Sequence, residues 1–363
     1  MNNKTILVTG GLGYIGSHTV TLLLEKGYKV IIIDNLYNSS KSVLVNIEKI
    51  VGRLIVEHCE FIEVDITDKY TLCAALRPYI GKISSCIHFA GYKAVGESVF
   101  KPFLYYNNNI VGTINLLEVL DIIGCHNLVF SSSCTVYGHP EKVPIDESSK
   151  TGFLNPYGCS KLIVEHILDS FSQSIQGKNK RLVSLRYFNP IGAHPSGLLG
   201  EDPNDIPNNL LPFIMKVVSA MDDENTSSSD IYNHLKVYGN DYDTPDGTGV
   251  RDYIHVMDLA KAHILALENI IYSDNCSKNY YVCNVGLGQG TSVLEMLSLT
   301  SKILGKHVPF KFYPRRAGDC ATVYADDIQC RELLKFTPDY TIEDAIKHSL
   351  EFIKNKNKTT RNM

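Results

Sequence analysis

Apolar runs of strand length recur through the first half of the chain, at residues 5–9, 29–34, 61–65, 86–90, 128–132 and 182–189. They read as apolar runs, richest in Val, Ile and Leu at 5–9 and 29–34, rather than as a strict alternation with polar residues, and they alternate with stretches of helical spacing. Strands read this way are covered on both faces, which predicts a parallel sheet with crossover helices. The rhythm stops near residue 190, where AHPSGLLGEDPNDIPNNLLP is rich in Pro, Asn and Gly. The pattern therefore predicts an α/β fold with a doubly wound parallel sheet over 1–189. A smaller mixed α/β lobe is expected over 190–363, with segments such as 251–270 returning to the first unit.

Composition narrows the function classes. A chain of 363 residues can hold two or three domains, or one large unit with a smaller lobe. Lys and Arg number 35 against 39 Asp and Glu, a net charge of -4, so no bulk attraction draws nucleic acid or an anionic membrane. Apolar content of 44% with 20% charged residues is that of a folded protein, and no apolar run reaches the length of a membrane span. The amino terminus enters strand pattern by residue 4 without the sections of a signal peptide. Ten cysteines are scattered with no CxxC pair and read as reduced thiols, which together with that terminus predicts a cytoplasmic protein. The cysteines and the 12 histidines form no metal-ligand spacing, so no metal is expected. MDDENTSSSD at 221–230 reads as a solvated loop, and the tail NKNKTTRNM as frayed.

Candidate chemistry begins directly after the first strand, with Gly10-Gly11-Leu12-Gly13-Tyr14-Ile15-Gly16 ahead of the helical stretch SHTVTLLLEKG. Glycines there allow a tight turn and the close approach of a pyrophosphate to a helix amino terminus, whose free N–H groups favour anions. A glycine pattern alone also serves ordinary turns; the strand before it and helix after it make it a Rossmann-type dinucleotide fingerprint. Asp34 closes the second strand. Its carboxylate can accept from a ribose 2′-hydroxyl and would repel a 2′-phosphate, and no Arg follows in Asp34-Asn35-Leu36, so NAD is favoured over NADP.

Two further segments are FSSSCTVYG at 130–138, ending a strand, and NPYGCSK at 155–161, opening a helix. Tyr157 and Lys161 are one helical turn apart and share a face. Lowering a tyrosine pKa by about 3 units takes roughly 4 kcal/mol. A lysine ammonium at about 5 Å, at an effective dielectric near 20, supplies on the order of 3 kcal/mol. With added positive charge from an oxidised nicotinamide, Tyr157 becomes a base near neutral pH, and Ser133 the hydroxyl that bonds the reacting oxygen. A surface Tyr beside a solvated Lys is the plainer reading of YxxxK alone; the glycine loop and strand-end serines weigh against it.

At this point the chain resembles a family. TGGLGYIG, the YxxxK pair and the intervening Ser are similar to the extended short-chain dehydrogenase/reductases. DNLYNSS, HFAGYKAVGESV, NPYGCSK, LRYFNPIGAHPSG, VYGNDYDTPDGTGVRDYIHVMDLA and PRRAGDCATVYAD more specifically resemble the UDP-glucose 4-epimerase family, from residue 4 to about 345. The resemblance implies NAD-dependent, reversible interconversion of UDP-galactose and UDP-glucose in galactose metabolism, through a 4-keto sugar that turns over and takes its hydride back. It implies Ser133, Tyr157 and Lys161 as catalytic residues. It implies cofactor contacts from Gly10, Gly13, Tyr14, Ile15, Gly16, Asp34, Asn35, Asn38, Ser39, Asp65, Ile66, Phe89, Ala90, Lys93, Asn108 and Tyr187, besides the catalytic three. On the substrate side it implies Lys93, Ser133, Tyr157, Phe188, Asn189, Asn208, Asn209, Leu210, Lys236, Val237, Tyr238, Arg251, Tyr253, Arg316, Asp319 and Val323. Arg251 and Arg316 suit a diphosphate, because guanidinium pairs bidentately with phosphate oxygens; surface salt bridging is the plainer alternative for them. Val323 stands where a bulky residue in the family walls off the sugar's C2 side, so acetylated UDP-hexoses are expected as substrates too. The resemblance also implies a homodimer through helices around 103–121 and 157–171.

Some positions depart from the family pattern. Cys134 replaces the usual Ala after the serine triplet, the segment from Ser133 to Tyr157 is one residue short, and 221–234 is long. A sugar-nucleotide 4,6-dehydratase shares the Tyr/Lys pair, but elimination needs an acid and a base beside the Ser/Thr, and Cys134 and Thr135 occupy those places. A catalytically inert NAD-sensing protein has no use for Ser133, Tyr157 and Lys161 together. His88 reads as a packed strand-end residue.

Overall fold

The computed structural model describes residues 4–52, 54–178, 180–203, 206–207, 209–221, 230–316 and 318–361. Seven parallel strands form the main sheet: β1 (Thr5–Thr9), β2 (Lys29–Asp34), β3 (Cys59–Glu63), β4 (Ile83–His88), β5 (Asn127–Ser133), β6 (Arg181–Tyr187) and, after four short strands, β11 (Tyr280–Val285). Their spatial order is β11-β6-β5-β4-β1-β2-β3. The order reverses between β1 and β4, and that switch point is where open α/β sheets bind ligands.

The first two strands have the bounds read from the sequence. The third starts two residues earlier than expected, and the fourth ends at His88, because Phe89 and Ala90 turn inward to bond the carbonyl of Thr9. The sixth stops at Tyr187. Asn189–Ile191 (β7) leaves the sheet to pair with Tyr253–His255 (β10). The seventh strand, β11, was not read from the sequence; it pairs in parallel with β6 from Leu182 to Tyr187.

Each face of the sheet has its own apolar layer. One joins Ile6, Val8 and Ile32 to Val20 and Leu23 of the first helix (Tyr14–Glu25) and to Leu259 and Ile264 of the helix Val256–Ala266. The other joins Leu7, Ile31 and Phe130 to Leu72, Leu116, Val164 and Leu168 from three helices. These layers explain why the strands read as continuous apolar runs. A third layer, built on Ile214, Val237, Met296 and Ile346, forms the second lobe. That lobe carries β8 (Leu235–Tyr238), β9 (Val250–Arg251), β12 (Thr291–Ser292), β13 (Phe310–Tyr313) and β14 (Thr322–Val323). Among the described residues no helix is long and apolar enough to cross a membrane. The polar run singled out at 221–230 falls mostly outside the described residues.

Candidate functional site

The glycine loop is tight for steric reasons. Gly10 has φ +67°, and a Cβ there would lie 2.7 Å from the backbone nitrogen of Ala90; at Gly16 it would lie 2.1 Å from the carbonyl of Gly10. Only glycine lets β1, β4 and the first helix converge this closely. Tyr14 and Ile15 open that helix, with backbone N–H groups facing the turn. Asp34, buried at the end of β2, accepts from the N–H of Leu12 at 3.0 Å, of Leu36 at 2.9 Å and from the Ser39 hydroxyl at 2.8 Å. Asn35 donates to Asp65 at 2.8 Å, and Ile66 is buried beside it. Phe89 packs against His263, and buried Asn108 donates to Asn109. The cradle, the apolar floor and the carboxylate at the second strand suit an adenine dinucleotide with a free ribose 2′-hydroxyl.

The second cluster grows from β5 and the helix Pro156–Gln173. Asn155 caps this helix by accepting from the N–H of Gly158 at 2.9 Å, with Pro156 at the first helical position. The cap fixes the start, and so places Tyr157 and Lys161 on the inward face, both buried. Lys161 Nζ donates to the carbonyl of Ser131 at 2.6 Å and lies 5.9 Å from the Tyr157 ring centroid. The Ser133 hydroxyl accepts from the Thr135 N–H at 3.2 Å and hydroxyl at 3.0 Å. Tyr187 bonds Ser131 through its hydroxyl.

The electrostatics differ from the arithmetic of the sequence. Burial raises the Tyr157 phenol well above its ordinary value, the Ser133 hydroxyl offsetting only part of it, and burial lowers Lys161 from 10.5 to about 7, against the pull of Glu165. The sequence arithmetic combined Lys161 with an oxidised nicotinamide and left burial out; without that added charge, desolvation of both groups outweighs the attraction. Added positive charge is what this site needs to make Tyr157 a base. His88 is as expected: it bonds Thr9 at 2.6 Å and Thr113 at 2.8 Å, and burial holds it down to about 3.

The substrate-side residues are more dispersed. Asn189 and buried Phe188 follow β6 toward the second lobe. Asn209 donates to Glu201 at 2.8 Å. Arg251 pairs with Asp319 at 2.6 Å, and Arg316 stacks over Tyr238 at 4.0 Å. Lys236 lies over Tyr313, while Val237, Tyr253 and Leu210 belong to the second lobe's apolar layer. Val323, like Cys134, packs against a buried cluster that includes Tyr137, Ile145 and Phe188. Asn208 lies outside the described residues.

Comparison with known proteins fits this geometry. Residues 7–349 match a family model described as GDP-mannose 4,6 dehydratase. The curated UDP-glucose 4-epimerase of Yersinia enterocolitica is 49% identical over 88% of this chain and 89% of its own length. UDP-glucose 4-epimerase 1 of Oryza sativa subsp. japonica is 47% identical over 94% and 92%. The crystal structure of the Bifidobacterium longum UDP-glucose 4-epimerase, in complex with NAD+ and UDP, superposes with a TM-score of 0.87 at 44% identity, covering 98% of this chain and 99% of that one. The chain belongs to the UDP-glucose 4-epimerase family.

The dehydratase description of the broader model is resolved by the residues after Ser133. Cys134 and Thr135 stand where elimination needs an acid and a base, and the Thr135 hydroxyl is spent on Ser133. Among the epimerase-family positions, Lys93 has a partner that the sequence reading did not single out: Glu201, at 2.6 Å and nearly buried. Glu201 also takes Asn209, so one carboxylate ties a loop after β4 to the second lobe. Its only sequence signal is the acidic pair in GEDP, which is indistinguishable from a solvated turn without the fold. Glu165, two turns after Tyr157, was likewise passed over as an ordinary helix residue.

Proposed function

We propose that the protein catalyses the reversible, NAD-dependent epimerisation of UDP-galactose and UDP-glucose at C4 of the hexose, through a 4-keto sugar. The observation that carries this reading is the buried Ser133, Tyr157 and Lys161 cluster beside a glycine cradle and a ribose-facing Asp34; the same names and ligands among close relatives support it. NAD, when bound, supplies the hydride acceptor and donor and a positive ring. Gly10, Gly13 and Gly16 leave room for its pyrophosphate, with Tyr14 and Ile15 offering backbone N–H groups; Asp34, Asn35, Asn38, Ser39, Asp65 and Ile66 surround the adenosine. Phe89, Ala90, Lys93, Asn108 and Tyr187 line the approach to the reacting ring. Tyr157 takes the proton of the sugar 4-hydroxyl and Ser133 holds that oxygen, while Lys161, anchored on Ser131, orients Tyr157.

Epimerisation requires a firm grip on the nucleotide and a loose one on the hexose, since the sugar must present both faces. Arg251, Arg316 and Asp319 with Asn189, Asn208 and Asn209 are assigned to the uridine and diphosphate, and Phe188, Leu210, Lys236, Val237, Tyr238 and Tyr253 to the pocket around them. The N-terminal unit, 1–189, is the cofactor domain, and 190–363 mainly the UDP-sugar lobe. Val323 is a small residue where a bulky one would wall off the sugar's C2 side, so UDP-N-acetylglucosamine and UDP-N-acetylgalactosamine are included as substrates. A homodimer is supported by exposed apolar side chains on adjoining helices, among them Val99, Phe100, Phe103 and Ile114. A cytoplasmic setting accords with ten free thiols. Mixing the purified protein with UDP-galactose, with no NAD added, tests the reading: UDP-glucose should accumulate to equilibrium, and a failure to form it even with NAD supplied would overturn the assignment.

A further inference from the structure

Behind the reacting side chains lies a buried ionic network that the chemistry above does not use. Tyr157, Lys161 and Glu165 follow one another at single-turn spacing on one helix face. Glu165 is nearly inaccessible, and so is its partner Arg186 on β6. Arg186 grips the carboxylate through Nε at 2.9 and 3.1 Å and through its second amino group at 2.6 Å. Glu165 also accepts from the Ser132 hydroxyl. Ser132 and Arg186 are direct register partners across β5 and β6, so the carboxylate spans two adjacent strands. Arg186 continues to the Tyr137 hydroxyl at 3.0 Å, which donates to Asn284 on β11 at 2.7 Å.

The position of Ser132 gives this network its meaning. Along a strand, successive side chains face opposite sides. Ser133 therefore presents its hydroxyl on one side of β5, while Ser132, the preceding residue, is anchored on the other. The carbonyl of Ser131, one residue further back, receives Lys161 Nζ. Three consecutive serines thus connect the reacting hydroxyl, the buried carboxylate and the lysine.

We propose that Glu165 is a positioning residue: clamped by Arg186 and bonded to Ser132, it sets the register between β5 and the helix of Tyr157, and so the placement of Ser133 and Lys161 relative to the phenol. The proposal rests on the epimerase reading for the roles of those groups. It goes beyond packing because an apolar pair of similar volume could fill the space, and a buried ion pair is often no more stabilising than such a pair. Charge supports the same conclusion. The groups facing Lys161 are Tyr157 and Glu165 on its own helix, His88 from β4 and the Phe130 ring from β5. Of these only Glu165 is an acid that supports the ammonium.

The test compares Ser132→Ala and the double variant Glu165→Leu/Arg186→Met with wild type; the double variant removes both buried charges, so neither is left unpaired. For folded protein, kcat for UDP-galactose should fall by about 10²-fold with KM little changed, as expected when reacting atoms are displaced by about an ångström. In the double variant the alkaline limb of the kcat profile should move to lower pH, because Lys161 loses its supporting acid; Ser132→Ala, which keeps Glu165, should leave that limb in place. A second readout needs no turnover: the Lys161 ammonium, followed by NMR and assigned by its loss in Lys161→Met, should release its proton at lower pH in the double variant than in wild type. Folded variants with wild-type kcat, or a double variant with an unshifted Lys161 titration, would overturn the proposal. If wild type itself does not epimerise UDP-galactose, the Lys161 titration still decides whether Glu165 supports the lysine. Should the double variant not fold, Ser132→Ala decides by its kcat and KM.

Discussion

The residues assigned to the cofactor and those assigned to the sugar nucleotide are brought together by different means. In the first, residues 10–16, 34 and 65 come from consecutive strand ends of one sheet, and their contacts run between neighbouring strands: Asp34 holds Leu12 and Ser39, and Asn35 holds Asp65. In the second, Arg251 meets Asp319 from β9 and the loop before β14, and Lys93 meets Glu201 from the opposite lobe. Arg316 is exposed where Asp34 is buried. The first half is a fixed cradle; in the second, the long side chains of Arg251 and Lys93 are already paired with carboxylates, and Arg316 stacks on Tyr238. Those pairs are exchangeable: a diphosphate can take the place of a carboxylate on a guanidinium at little net cost. That division fits a catalyst that keeps its cofactor and turns over its nucleotide sugar.

The sharpest break between the halves is expected at the group that serves both. Tyr157→Phe removes the proposed proton acceptor and almost no volume, so turnover should fall by 10²- to 10⁴-fold, on the order expected for a lost general base. Binding of NAD and of UDP, followed by fluorescence and calorimetry, should hardly change. Retention of more than about a tenth of wild-type kcat would show that the reacting proton goes elsewhere.

Acid should separate the halves physically. His18 on the first helix, His194, His255 at the cap of the helix Val256–Ala266 and His348 meet at the seam between the lobes, with His255 bonding His348 at 3.0 Å. Burial pushes His18 and His194 down to about 4 and His255 to about 3; Asp344 opposes the shift of His255, while the neighbouring histidines reinforce it. A histidine with a pKa lower in the fold than in the unfolded chain stabilises the fold above about pH 6.5, and that contribution is lost as pH falls toward the folded value. Each such ring contributes on the order of 3 kcal/mol. Thermal melts should therefore show Tm dropping between pH 7 and pH 5, and His255→Asn should flatten the drop. A Tm constant over that range would mean the seam is hydrated.

Cofactor choice gives a smaller effect. Asp34→Ala with Asn35→Arg removes a negative charge facing the ribose and offers a phosphate partner. The NADP-to-NAD affinity ratio should rise by at least about tenfold, a change equivalent to about 1.4 kcal/mol. A wild-type protein purified with NADP would overturn the role given to Asp34.

How much of this was legible beforehand follows from the same contrast. The glycine loop, Asp34 and the Tyr157/Lys161 pair were readable because each depends on spacing within one strand–turn–helix unit. β11 was missed because Tyr280–Val285 follows a polar stretch far from the βαβ series, and only pairing with β6 defines it. The partnerships of Glu201 and Glu165 depend on residues brought together from distant segments. The ionisation of Tyr157 was legible only in part for a related reason: spacing shows that a lysine is near, whereas the depth of burial, which opposes its pull, is a property of the whole fold.

The smallest change tests the least local contact, the wall at residue 323. Val323 sits in β14, opposite Arg251 in parallel register, with its carbonyl accepting from the Asp252 N–H at 3.1 Å. Its backbone is thus held from the same strand that carries the diphosphate candidate. Tyr324, just past the end of β14, lies near Gly290, and its carbonyl accepts from the N–H of Ile145. The side chains best able to refill the space are committed elsewhere: Tyr313 bonds His234 at 3.1 Å, and Leu210 packs in the second lobe. Val323 itself packs against the buried cluster that holds Tyr137, Ile145 and Phe188, and as a Val it is several heavy atoms smaller than a Tyr. Val323→Tyr should therefore lower kcat/KM for UDP-N-acetylgalactosamine by at least about tenfold, in line with steric exclusion of a few heavy atoms, and leave UDP-galactose within about threefold of wild type. Equal losses on both substrates would place residue 323 in general packing, and no acetylated turnover in wild type would remove it as the determinant.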